Sequence, residues 1–267
     1  MPNIHPVSLA RHGNKRWRRP SSYNFAAANS LVSLVTAELP KAVISMPIGL
    51  VEDRDGFSPV AIVGFEPGFN VFVSDNWKWL GQYIPAALRG YPFQLAKMED
   101  GSQVLCVDED NDLISEGASG DAFFAEDGRP SPALSAIFNF LAELEKNRQL
   151  TARACAVLKE QDLIIPWPIT VEKDGGNQQI SGLFQIDEAR LNALSAEALK
   201  AVQVAGGLVI AYCQLLSKQH LQVLARLAQL QASARTQANS LSNIAPDGEL
   251  NLEFFNKGGT FSFGSFT

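Results

Sequence analysis

Reactive side chains are scarce in this 267-residue chain, which has three histidines (His5, His12, His220), three cysteines (Cys106, Cys155, Cys213) and three methionines. No HxH, HxxxH or HExxH pattern occurs, so the sequence spells out no histidine metal site and no local nucleophile–base pair. Only the fold can bring His12 to Cys106, and nothing in their spacing asks for it. The cysteines are odd in number and far apart, each inside an apolar stretch. That excludes a CxxC pair and reads as three small buried side chains. GxGxxG and GxxxxGK[ST] are both missing, so no phosphate cradle is implied. Gly117-Ala118-Ser119-Gly120-Asp121 lacks the strand–turn–helix setting of a nucleophile elbow. No cofactor is implied. No run of 18 uncharged apolar residues exists, so no membrane span is expected. The first twenty residues lack the apolar core of a secretory leader. The expectation is a chain made in the cytosol whose final place is cytoplasm, cell surface or virus particle.

What the sequence has is a strong polarity of charge. The net charge is −6, which argues against bulk binding of nucleic acid. No acidic residue precedes Glu38, while Arg11, Lys15, Arg16, Arg18 and Arg19 are basic. From Glu99 to Asp127 the chain carries ten carboxylates, among them Asp108, Glu109, Asp110, Asp112, Glu116 and Asp121. This pattern allows a basic arm lying across an acidic face, within the chain or on a neighbour, or two separately solvated faces. Between Glu197 and Asp247 there is no acid at all.

The predicted fold is α+β: a β-rich N-terminal lobe of short antiparallel strands, then a mainly helical part ending in a long amphipathic helix and an extended tail. Residues 1–130 form the lobe with its basic arm, 131–238 the helical part with a small β element, and 239–267 a polar linker and Phe/Gly tail. A compact unit joining the first two is compatible with this division. Strands are expected at Ser45–Glu52, Pro59–Glu66 and Asn70–Ser74, and a short helix at Val32–Leu39 that stops before Pro40. A hairpin is expected from Pro92–Lys97 and Gln103–Val107. Ser131 caps a helix with Pro132 at its first position, and the apolar spacing of Leu134, Ile137, Phe138, Leu141 and Leu144 continues it. A second helical stretch covers Ala152–Lys159. Strands follow in 162–172 and at Gln179–Ile186, then short helices open at Asp187 and Ser195. After Gly206-Gly207, one long helix is expected from Leu208 to about Ala238, with Leu216, Val223, Leu227 and Leu230 on one face.

Two clusters invite a functional reading. Asp108, Asp110 and Asp112 alternate as calcium-loop ligands do. A loop starting at Asp108 needs Gly at its sixth position and Glu at its twelfth, where Leu113 and Ser119 stand. The motif therefore fails, and these residues remain a weak calcium candidate beside a solvated acidic turn. The second cluster is aromatic: Trp77, Trp79 and Tyr83, then Arg89, Tyr91 and Phe93. Such rings build either a binding surface or the core of the β-rich lobe, and the core is the preferred reading.

The segment Trp79-Leu80-Gly81-Gln82-Tyr83-Ile84-Pro85-Ala86-Ala87-Leu88-Arg89-Gly90-Tyr91-Pro92-Phe93 resembles the signature of the SapC family, proteins associated with bacterial surface layers. The likeness is spread from about His5 to about Leu227. Tyr23–Ala26, Gly64–Val73, Leu105–Glu109 and Gly182–Leu191 also carry it. Gly90 departs from the family pattern, where a second basic residue is common, and the chain continues past the family's usual end. The resemblance implies a role at a surface layer or its export and implies no reaction. It also turns the aromatic run and Asp108-Glu109 into marks of a fold. The expectation is a non-enzymatic interaction protein with protein partners, as a homo-oligomer or part of a larger assembly. Its contact candidates are the aromatic run, Leu216, Val223 and Leu227, and the tail residues Phe261, Phe263 and Phe266. The alternatives are a component of a virus particle or protein shell, and an enzyme or small-molecule binder centred on Trp79–Phe93 and Asp108-Glu109.

Overall fold

The computed structural model describes residues 3–242 except 118, 174 and 175, and no side chains in 171–178 or 234–242. The tail candidates Phe261, Phe263 and Phe266 lie outside the described residues.

The chain opens with strand β1 (Ile4–Pro6), a single helical turn α1 (Leu9–His12) and the two-residue strand β2 (Arg16–Trp17). Residues Val32–Leu39 were expected to be helical. Instead β3 (Leu31–Ser33) precedes a 3-10 turn at Thr36–Glu38, and a short helix α2 (Leu39–Ala42) follows. Exposed Leu31 and Ser33 alternate with buried Val32 and Leu34, a period of two that suits a strand. Pro40 sits in the first turn of α2, where a missing N–H costs nothing.

Strands β4 (Ile48–Asp53) and β5 (Gly56–Ile62) fall near the first two expected strands and pair as a hairpin. Asn70–Ser74 does not form a ladder strand; its one pairing is the bridge from Val73 to Trp79. The buried Asn70 side chain holds a turn there, donating to the Ala26 carbonyl and accepting from the Phe72 N–H. After α3 (Ala86–Arg89), β6 (Phe93–Lys97) and β7 (Gln103–Asp108) make the predicted hairpin. Two minimal strands, β8 (Ile114–Ser115) and β9 (Asp121–Ala122), complete the lobe.

The two helical stretches predicted after Pro130 are one helix, α4 (Pro132–Glu160), capped by Ser131, whose Oγ accepts from the Leu134 N–H. Beyond it come β10 (Ile164–Pro166), β11 (Ile169–Lys173), β12 (Gly176–Ile180) and β13 (Phe184–Ile186). The expected strand Gln179–Ile186 is broken at Gly182, whose φ of +84° suits glycine. Helices α5 (Glu188–Asn192) and α6 (Ala196–Val204) are capped by Asp187 and Ser195 as expected. The long helix is two: α7 (Gly207–Ser217) and α8 (His220–Ser242). The break has a tertiary cause. Ser217 is buried against the Ile48 backbone, and His220 lies 2.8 Å from the Val43 carbonyl.

Three antiparallel sheets and one separate hairpin result. The largest sheet runs β10-β13-β4-β5-β3, a second β1-β7-β6, and a third β8-β2-β9, while β11 pairs only β12. Two hydrophobic cores lie against them. One gathers Ile48, Leu50, Ile62, Leu158, Leu163, Ile186 and Ile210. The other gathers Trp17, Phe93, Val107, Phe123, Leu134, Leu141 and Leu144. Helix α4 serves both, placing its first half in the second core and Ala154, Cys155 and Leu158 in the first.

Candidate functional site

The basic arm lies on the acidic segment of its own chain. Arg11 grips Glu109 with two hydrogen bonds, Nε and Nη2 each 2.8 Å from a carboxylate oxygen. Lys15 stands 3.5 Å from the same carboxylate. His12, wholly buried against the Phe123 ring, places Nε2 2.9 Å from Glu109 Oε1. At that approach Nε2 makes no aligned hydrogen bond. The Arg11 hydrogen bonds, ahead of the nearby Lys15 and His12, pull the Glu109 carboxyl down to about 2. Burial lowers the His12 pKa, only partly opposed by Ser8 and Glu109.

Strand β2 continues the embrace. It is the middle strand of its sheet, with Arg16 opposite both Ser115 and Ala122. Arg16 donates to the Gly120 carbonyl and Arg18 to the Asp112 carbonyl, each at 3.0 Å. Gly120 is required here: its φ is +107°, and a Cβ would stand 2.5 Å from the Trp17 carbonyl oxygen. Trp17 anchors the arm, buried and edge-on to Phe93 at 4.8 Å.

The aromatic run does not converge on one pocket. Phe93 is in the second core. Trp79 and Tyr83 pack, partly buried, on the first. Trp77 is 48% exposed, and Arg89 is exposed and lies over the Tyr83 and Phe140 rings. Between them sits a group to which the sequence reading gave no site role. Glu38 is buried and accepts from the Val35 N–H at 2.9 Å, and from Tyr83 Oη and the Ala86 N–H at 2.7 Å each. Burial first, then this carboxylate, raises the Tyr83 phenol above its ordinary value. Every polar contact of Glu38 goes to its own fold, so it fastens the 83–86 loop to the 3-10 turn. As the first acid in the chain, set in the apolar run Leu34–Leu39, it had a visible signal.

Asp108, Asp110 and Asp112 do not gather as a metal cluster, and none of three or more His, Cys, Asp or Glu occurs among the described residues. Asp108 Oδ1 accepts from the Asn3 and Asp110 amides instead. The three cysteines are buried and free, and desolvation raises each thiol, Cys155 to about 12. Thiols so placed are poor nucleophiles.

Two open clefts adjoin the arm. The larger, about 530 Å³, lies between Arg18–Phe25 and Asp110–Leu113. The second, about 380 Å³, is lined by α4 and by Pro92–Leu95. Phe25 and Tyr91 border both, with rings stacked 4.0 Å apart.

The C-terminal helices differ in kind. On α7, Gln214 and Ser217 face inward. Gln214 accepts from the Ile186 N–H, and Ser217 accepts from the Ile48 N–H. Outward stand Val209, Tyr212 and Leu216, the last 62% exposed. Val223 and Leu230 extend the exposed apolar set on α8, and Leu199 and Val204 on α6. Of the predicted face, Leu216 and Val223 are exposed, whereas Leu227 packs partly buried on the core. No single helix among the described residues is long and apolar enough to cross a membrane; α6 and α7 meet that measure only as a pair bent by 91°.

The SapC family model matches residues 7–224, more than three-quarters of the chain, and the chain belongs to that family. No curated protein and no solved structure matches it.

Proposed function

We propose that this SapC-family chain works by contact rather than by catalysis, as a self-associating component of a surface layer or another large protein assembly. The observation that carries the reading is the exposed apolar face of helix α7. The helix spends its polar side chains on the backbone of β4 and β13 and turns Val209, Tyr212 and Leu216 to solvent. Exposed apolar side chains on three consecutive helices make the kind of patch that a partner covers. The segment also lacks any acid from Ala198 to Pro246, so two copies meeting there bury no carboxylate from it. The raised thiols and the fully engaged Glu38 and Glu109 support the same reading, because the groups best suited to chemistry are committed to the fold.

The test is solution mass by light scattering across a concentration series. The chain is expected to associate, and the Tyr212→Ser/Leu216→Ser double variant to remain a monomer with unchanged circular dichroism. A wild-type chain that stays monomeric at the highest concentration, or a variant that associates equally well, defeats the proposal.

A further inference from the structure

Four charged side chains line the larger cleft beside the arm: Arg18, Arg19, Asp110 and Asp112. Among the described residues none of the four forms an ion pair, and the one hydrogen bond from their side chains is that of Arg18 to the Asp112 carbonyl, at 3.0 Å. Asn111 and Tyr91 also line it, and the fold holds the Asn111 side chain, which donates to the Asp108 carbonyl and accepts from the Leu113 N–H.

Charge selects the ligand class. A bare anion would meet two carboxylates and a bare cation two guanidinium groups, so neither gains from the whole set. A neutral ligand dense in hydroxyl groups uses both kinds. Its O–H groups donate to Asp110 and Asp112, and its oxygens accept from Arg18 and Arg19. The Phe25–Tyr91 stack supplies a flat apolar wall, which the C–H face of a sugar ring can cover. At about 530 Å³ the cleft falls within the range of ligand sites. The same ring pair borders the second cleft of about 380 Å³, so a ligand longer than one sugar unit finds more surface past it.

We infer that the cleft between Arg18–Phe25 and Asp110–Leu113 binds a neutral oligosaccharide across the Phe25–Tyr91 wall. This site lies on different elements from the apolar helix face and does not depend on self-association.

The experiment is calorimetric titration of the full chain with three probes, chitotriose, cellotriose and mannotriose. Glycylglycine, inorganic phosphate and calcium chloride serve as controls. At least one triose is expected to bind at one site per chain. Arg19→Ala and Asp110→Asn, both at exposed side chains, are each expected to weaken it about tenfold or more. Failure of all three trioses to bind at about 10 mM, some tenfold beyond a millimolar Kd, overturns the inference. So does triose binding that both variants leave unchanged. Glycylglycine binding more tightly than every triose would make this a zwitterion site and overturn it as well, as would displacement of a bound triose by phosphate or calcium.

Discussion

The N-terminal arm and the C-terminal helices are both sticky segments in the sequence, one through charge and the other through apolar side chains, but the fold treats them oppositely. Most of the arm is engaged internally. Arg11, His12 and Lys15 converge on Glu109, Arg16 and Arg18 reach backbone carbonyls, and Trp17 is buried in the second core. On the helices, α7 buries Gln214 and Ser217 while Val209, Tyr212 and Leu216 stand exposed, and Val204 on α6 is 75% exposed. Arm-like composition at a terminus therefore does not by itself mark an interaction surface. What decides is whether the rest of the chain holds the complement. The acidic segment supplies it for the arm, and nothing among the described residues covers Val209, Tyr212 and Leu216.

This contrast is open to attack by substitution, and the arm should give the larger effects on stability. Trp17→Ala removes the largest fully buried ring of the arm and is expected to cost about 3–5 kcal/mol in urea unfolding. Next comes Glu109→Gln, which leaves Arg11, His12 and Lys15 facing an amide and should cost about 2 kcal/mol. The same variant carries a pH signature. The Glu109 carboxyl is held at about 2 against an ordinary 4.5, so its contribution is complete above 4.5 and is lost as the pH falls toward 2. Burial holds the His12 pKa below its ordinary 6.5, which adds a loss of the same sign as the pH drops below that value. Thermal melts between pH 7 and 3 should fall steeply for the wild type and less steeply for Glu109→Gln. An equal slope would mean that the clamp is not what the acid breaks.

Smaller still is the double charge reversal Arg18→Glu/Arg19→Glu. Both side chains are exposed and share one hydrogen bond to a carbonyl, so a loss of roughly 1 kcal/mol or less is expected. Smallest on stability is Tyr212→Ser/Leu216→Ser, within about 0.5 kcal/mol, although it should change solution mass the most. If this pair instead unfolds the chain, the helix face is part of the fold and the contrast between the two regions collapses.

Much of this architecture was legible in local patterns. Ser131-Pro132, Asp187 and Ser195 announce their helices, and each caps as its chemistry predicts. The hairpin between Phe93 and Asp108 follows from alternation around a turn. What stayed hidden depends on distant partners. No glycine or proline marks the break between Ser217 and His220, because its cause is the backbone of Ile48 and Val43 far back in the chain. Val32–Leu34 looked helical until its alternation with Leu31 and Ser33 was set beside a sheet edge. At the candidate sites, the charge blocks allowed the arm to lie on the acidic segment, on a neighbour or in solvent, and gave no sign that Glu109 takes three basic neighbours. The contact candidates divide: Leu216 and Val223 stand exposed, while Phe93 belongs to the core and Trp79, Tyr83 and Leu227 pack against it.

The central place of β2 in its sheet also fixes a timetable. Arg16 and Trp17 are made well before their partners in β8 and β9, which lie 97 to 106 positions later. At about 5–20 residues per second, the arm waits on the order of 5–20 s before either neighbour exists. Through that interval its five cationic side chains have no acidic segment to lie on, beside a polyanionic ribosome surface. The docking of the arm therefore follows the synthesis of both its neighbours.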